Sequence, residues 1–125
     1  MNTPKNLLYT KDHEWVDLKE NKSTIGITDY AQSQLGDIIF LELPSVGDKI
    51  NAGSTLGEIE AVKTVSDIFA PISGTVLAIN EKLEESPELI NSDPYGEGWL
   101  IKVEISKIEG KDQLMDSLSY IEFVK

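Results

Sequence analysis

The 125-residue sequence contains no cysteine, which excludes disulfides, thiolate metal sites and a cysteine nucleophile. It contains one histidine, His13, so a histidine-based metal cluster is unavailable, and the spacing suggests no Ser-His-Asp arrangement. Ser66, for example, has no evident base. Positive charge is scarce: 11 basic residues stand against 22 acidic ones, a net charge of −11. Such a field repels phosphate backbones and disfavours nucleic-acid binding. It favours either partners with basic docking surfaces or solubility alone. No apolar run approaches the ~20 residues needed to span a bilayer. The start, Met1 to Leu8, has no long apolar segment and no arginine, so it reads as neither a secretory signal nor a good transit peptide. A cytoplasmic location is expected, with a processed organellar protein as the other reading. Length favours one domain, residues 1–125, burying roughly two-thirds of its unfolded surface.

What is present is strand-like. Glu14 to Leu18 and Ser23 to Thr28 read as a hairpin around Lys19-Glu20-Asn21-Lys22. Thr28 is placed to cap a short helix from Asp29 to Leu35, with Gly36 as its stop. Ile38 to Leu43 is almost continuously apolar, the pattern of a strand covered on both faces. Further strands are predicted near Lys49-Ile50, Thr55 to Glu60, Val65 to Ala70 and Gly74 to Ile79. Gly47 and Gly74 each read as a turn glycine opening a strand, giving a faint internal duplication about Lys63. Ser86 is expected to cap one helical turn through Leu89 and Ile90, and Asp93 to Gly98 to form a loop. From Trp99 to Ile105 the alternation predicts Trp99, Ile101, Val103 and Ile105 on one face, with Lys102 and Glu104 on the other. Gly110 and Asp112 announce a C-terminal helix with Leu114, Leu118 and Ile121 on one stripe; Asp116-Ser117 is a possible break.

Lys63 lies between two strand-like runs, in Glu60-Ala61-Val62-Lys63-Thr64-Val65-Ser66-Asp67. A lysine at a hairpin tip holds its amine in water, where another enzyme can modify it; a solvated turn lysine is the plain alternative. Glu60 and Asp67 favour the ammonium form, so they suit recognition rather than activation of the amine. Glu14 reads as a surface carboxylate at a strand start, and His13 as a locally hydrogen-bonded side chain. The stretch from Glu81 to Glu97, with six acidic residues and one lysine, reads as a solvated face or a docking surface.

Taken in order, these segments resemble the H-protein family of the glycine cleavage system. The likeness runs from about Leu8 through nearly the whole chain. It rests on Tyr9 to Val16, Ile25 to Gln32, Leu35 to Ile38, Glu42-Leu43-Pro44, Gly47, Glu60 to Asp67, Pro71 to Gly74, Asn80, Ser86 to Asn91 and Asp93 to Trp99. Two positions depart from the family pattern: Ala61, where serine is frequent, and Tyr30, where histidine or serine is common. They leave partner-specific contacts open but do not touch the lysine.

The resemblance implies a mainly β, barrel-sandwich hybrid fold of the lipoyl- and biotinyl-carrier type, with short helices and a C-terminal helix. It implies lipoate amide-linked to Lys63, and a monomeric carrier that is not itself an enzyme. It also implies visits from a pyridoxal-phosphate glycine decarboxylase, an aminomethyltransferase and a flavin dihydrolipoyl dehydrogenase. A lipoate-protein ligase or lipoyl/octanoyl transferase would attach the arm. The resemblance further points to Glu14 and Asp67 as groups that hold the ammonium of the loaded arm, keeping its nitrogen protonated and so slowing hydrolysis. Glu60 is assigned to recognition by the modifying enzyme. Biotin carriers usually place methionine on both sides of their lysine, whereas Val62 and Thr64 stand here. Two other readings are a lipoate or octanoate relay that donates its acyl group to other carriers, and a binding module with Lys63 unmodified.

Overall fold

The computed structural model describes residues 2–107 and 114–125. β1 (Leu8–Tyr9), β2 (Glu14–Lys19) and β3 (Lys22–Ile27) open the chain. β2 and β3 are joined through Glu20 and Asn21, with Glu20 at φ 58. Helix α1 (Asp29–Leu35) follows, and Thr28 caps it by accepting from the Ala31 N–H at 3.1 Å. Gly36, at φ 82, donates its N–H to the Gln32 carbonyl and ends the helix. Both caps stand where short-range chemistry places them.

Strands β4 (Ile38–Glu42), β5 (Lys49–Ile50), β6 (Thr55–Ala61), β7 (Val65–Phe69) and β8 (Ser73–Ile79) come next. Two single-turn helices, α2 (Lys82–Glu85) and α3 (Leu89–Ser92), precede β9 (Ile101–Lys107) and helix α4 (Ser117–Val124). The strands form a six-stranded sheet in the order β1-β2-β3-β9-β8-β5 and a three-stranded sheet in the order β4-β6-β7, antiparallel throughout. The sheets are sandwich-like and share one apolar core that includes Val16, Ile25, Ile59, Ile68, Val76, Ile101 and Val103. A second cluster, Leu7, Tyr9, Trp15 and Tyr120, ties both chain ends to the large sheet.

Several expectations need correcting. The β4 run is not covered on both faces: Ile38 is buried, but Ile39 is 50% and Phe40 57% exposed, because β4 is an edge strand with a register shift after Ile38. Trp99 does not share the face of Ile101. It lies before β9 and joins the second cluster, while Leu100 enters the main core. Gly74 sits inside β8, where a Cβ would collide with the Glu104 carbonyl of β9. It is therefore a close-approach glycine and not a turn glycine.

Ser86 does not start a helix. It ends α2, donating its N–H to the Lys82 carbonyl, while the expected turn through Leu89 and Ile90 forms as α3 with Glu88 at its N-cap. Asp116 is not a break but the N-cap of α4, accepting from the Ser119 N–H at 2.8 Å. Leu114 consequently precedes α4, Leu118 points to solvent, and Ser117 and Tyr120 are the helix's buried residues. Gly110 and Asp112 lie outside the described residues.

Candidate functional site

Lys63 occupies the turn between β6 and β7, with Val62 and Thr64. Two main-chain hydrogen bonds hold the turn. Ala61 donates to the Thr64 carbonyl at 2.8 Å, and Val62 donates to the Asp37 carbonyl, just before β4, at 3.0 Å. Those bonds fix the backbone and leave the lysine side chain exposed. No ion pair joins Lys63 to Glu60 or Asp67. Glu60 and Asp67 are both exposed on the outer face of the small sheet, where Glu60 stands opposite Val65 and Asp67 opposite Glu58.

Glu14 is not the surface carboxylate expected: it is 2% exposed. His13 adopts φ 70, and the Thr10–His13 turn closes through a His13 N–H bond to the Thr10 carbonyl at 3.2 Å. β2 then starts at Glu14, beneath β7. One Glu14 oxygen accepts from the Thr10 hydroxyl at 2.7 Å, and the other from the Phe69 N–H at 3.4 Å. Burial dominates and pushes the carboxyl up to about 7. The Thr10 bond opposes this, Asp12 adds to it, and the Phe69 bond again opposes it.

The N-terminal strand and the lysine-bearing hairpin thus meet at Glu14. Its partner Phe69 lies two residues from Asp67 along β7, a rise of roughly 7 Å. The structure brings Glu14 to this strand but forms no hydrogen bond between the two carboxylates.

A network that local sequence reasoning missed supports this corner. His13 is bonded not locally but to Tyr120, its Nδ1 lying 2.8 Å from the Tyr120 hydroxyl. That hydroxyl also meets the Thr28 hydroxyl at 2.8 Å. One consistent assignment follows. Ala31 N–H donates to Thr28, Thr28 donates to Tyr120, and Tyr120 donates to a neutral His13. Burial lowers the His13 pKa, in keeping with a neutral ring. Burial also raises Tyr120 to about 12, so its hydroxyl keeps its proton. Tyr30, one of the two departures from the family pattern, packs on the His13 ring at 4.8 Å. Ala61, the other, is buried at the end of β6 opposite Ile38.

The Asp93-to-Trp99 loop acts as a brace. Pro94 accepts from the Trp15 indole at 3.0 Å, and Asn80 donates to the Glu97 and Trp99 carbonyls at 2.7 and 2.8 Å. In the acidic stretch, Lys82 pairs with Glu97 at 2.8 Å, while Glu84, Glu85 and Glu81 remain exposed.

The two-sheet fold thus holds Lys63 on a pinned hairpin, its side chain exposed and without an ion pair to Glu60 or Asp67. Residues 7–125 match the family model described as "Glycine cleavage H-protein". The chain is 52% identical over 120 residues to a glycine cleavage system H protein from Bacteroides thetaiotaomicron, covering 96% of this chain and 95% of the relative. It is 60% identical over 104 residues to one from Listeria monocytogenes, covering 83% of each. A crystal structure of a glycine cleavage system H protein from Mycobacterium marinum superposes with a TM-score of 0.89 at 38% identity, covering 95% of this chain and 96% of that one. The chain belongs to the glycine cleavage H-protein family, the lipoyl carriers of the glycine cleavage system. No helix among the described residues is long and apolar enough to cross a membrane.

Proposed function

We propose that Lys63 is the lipoyl attachment point, and that residues 1–125 work as one carrier domain between the enzymes of glycine cleavage. The observation that carries this reading is the turn itself: its backbone is tied at Ala61 and Val62, while its amine has no carboxylate partner at Glu60 or Asp67. A lipoyl group bound there supplies a disulfide able to accept and release an aminomethyl unit. The visiting enzymes are glycine decarboxylase, aminomethyltransferase and dihydrolipoyl dehydrogenase, and a lipoyl-attaching enzyme prepares the lysine. Intact mass after incubation with lipoate-protein ligase, ATP and lipoate tests the assignment. One lipoyl group should be gained by the wild type and none by Lys63→Arg.

Glu14 is the second element of the site. A buried carboxyl with one strong and one long hydrogen bond retains lone pairs for a cation. It is about half protonated near neutral pH, and an arriving ammonium favours its ionised form. Parking a cation there therefore expels the Glu14 proton, and the exposed Asp67 carboxylate, two residues from Phe69, completes the acidic wall. Glu14→Gln should shorten the lifetime of the loaded carrier; an unchanged lifetime across pH would remove Glu14 from this role.

A further inference from the structure

The outer face of the small sheet carries a pattern that the carrier role alone does not explain. Cross-strand partners share a face. Phe40 pairs with Glu60, and Glu60 with Val65, so these three residues form one row across β4, β6 and β7. Glu42 pairs with Glu58, and Glu58 with Asp67, forming the next row away from the turn. In the first row Phe40 is 57% and Val65 56% exposed, and beyond it, in the turn, Val62 is 67% exposed. All three carboxylates of the second row are exposed. Large apolar groups gathered at one exposed place mark an interaction surface more often than they mark packing. Here Val62 and Val65 lie one and two residues from Lys63, and Phe40 and Val65 flank Glu60 from the neighbouring strands.

We infer that this face is the docking surface for the enzyme that acylates Lys63: Phe40, Val62 and Val65 seat on an apolar ledge of that enzyme, and the Glu42–Glu58–Asp67 row meets basic side chains beside it. The inference rests on the carrier reading of Lys63 and extends it to a partner surface. Two physical reasons select this partner. First, attachment joins the lipoyl carboxyl carbon to the bare Lys63 nitrogen and breaks the acyl bond of an acyl adenylate or acyl thioester, expelling AMP with a proton lost to solvent, or a thiol that keeps the amine's proton. The bare amine must enter that active site, so the carrier's body must press against the enzyme within one lysine length of the turn. The Phe40–Glu60–Val65 row begins a single strand residue from the turn, about 3 Å along β6. Enzymes that meet the end of a long arm need no such closeness. Second, charge matches. The row of three carboxylates has no lysine paired to it among the described ion pairs, and a basic surface answers it.

The test is steady-state acylation by lipoate-protein ligase with lipoate and ATP, followed by intact mass, for wild type, Phe40→Ala, Val65→Thr, Glu58→Lys and the control Leu118→Ala. Leu118 is an equally exposed apolar residue on α4, 69% accessible and outside this sheet. Phe40→Ala and Glu58→Lys should each raise KM for the carrier by about tenfold with kcat little changed, as loss of an interface anchor does. Thermal unfolding and the Leu118→Ala variant should match the wild type. Acylation of Phe40→Ala and Glu58→Lys at the wild-type KM would overturn the inference while leaving the carrier reading intact. A wild type that gains no lipoyl group would overturn both. A concentration-dependent dimer of the wild type that Phe40→Ala dissolves would reassign the face to a second copy of the chain.

Discussion

Glu14 is the residue whose physics departs furthest from its place in the sequence. Its folded pKa is raised from 4.5 to about 7, chiefly by burial. Below pH 4.5 the carboxyl is protonated in both states and contributes no pH dependence. Between 4.5 and 7 the unfolded chain releases the proton first, so stability falls as pH rises, by roughly 3 kcal/mol in all, and then levels off. Glu14→Gln removes that slope. Urea denaturation should find the variant more stable than the wild type at pH 8 by a few kcal/mol, with the difference shrinking toward pH 4.5. A constant difference across this range would contradict the burial account. His13 acts in the opposite sense: its lowered pKa means stability is lost as pH falls through the unfolded value near 6.5. Comparing the two Glu14 forms at each pH cancels that contribution. Neither residue's environment was legible in sequence. Burial of Glu14 and bonding of His13 to Tyr120 depend on β7 and α4, which lie more than 50 residues away. Lys63 was legible because a turn between two strand-like runs needs no distant partner to expose its side chain.

At the scale of the element, local chemistry predicted what it governs. Thr28 and Gly36 bracket α1 as expected, and the β2–β3 hairpin forms where its polar turn stands. Thr28 then does more than cap. It also supports the Tyr120 hydroxyl, so Thr28→Ala should cost about 2 kcal/mol in urea denaturation, with α1 and α4 loosening together. Loss of α1 alone, read from amide exchange, would contradict that coupling. Asp116 and Ser86 were misread because the same residue types begin helices, end them or sit in turns, and the neighbouring backbone decides which. The apolar β4 run was misread for a different reason. A continuous apolar stretch fits a doubly covered strand, but the sheet order leaves β4 at an edge with Phe40 facing outward. Gly74 was misread as a turn residue because glycine serves turns and close approaches alike. Gly74→Ala should destabilise by about 3 kcal/mol through collision with Glu104, whereas a true turn glycine with space around it would lose far less.

For the whole molecule, the sequence conveyed the architecture because its ordered segments occur along nearly the full chain, and the two sandwich-like sheets follow. What it did not convey is which faces the two sheets turn to each other and which they leave to partners. The six-stranded sheet reaches the N-terminal strand and, through paired Tyr9 and Met115 main-chain bonds of 2.8 and 2.7 Å, the C-terminal segment. The small sheet carries Lys63 on a turn pinned by the bond from the Val62 N–H to the Asp37 carbonyl. The carrier has 22 acidic and 11 basic residues, so its association with any basic surface should weaken as ionic strength rises. The most direct measurement of the central claim is reconstituted glycine cleavage with purified glycine decarboxylase, aminomethyltransferase, dihydrolipoyl dehydrogenase, tetrahydrofolate and NAD, following ammonia release from glycine. The lipoylated wild-type protein should restore turnover, and Lys63→Arg taken through the same lipoylation should restore none. Equal turnover with both proteins, or none with a wild type shown by mass to carry one lipoyl group, would contradict the account.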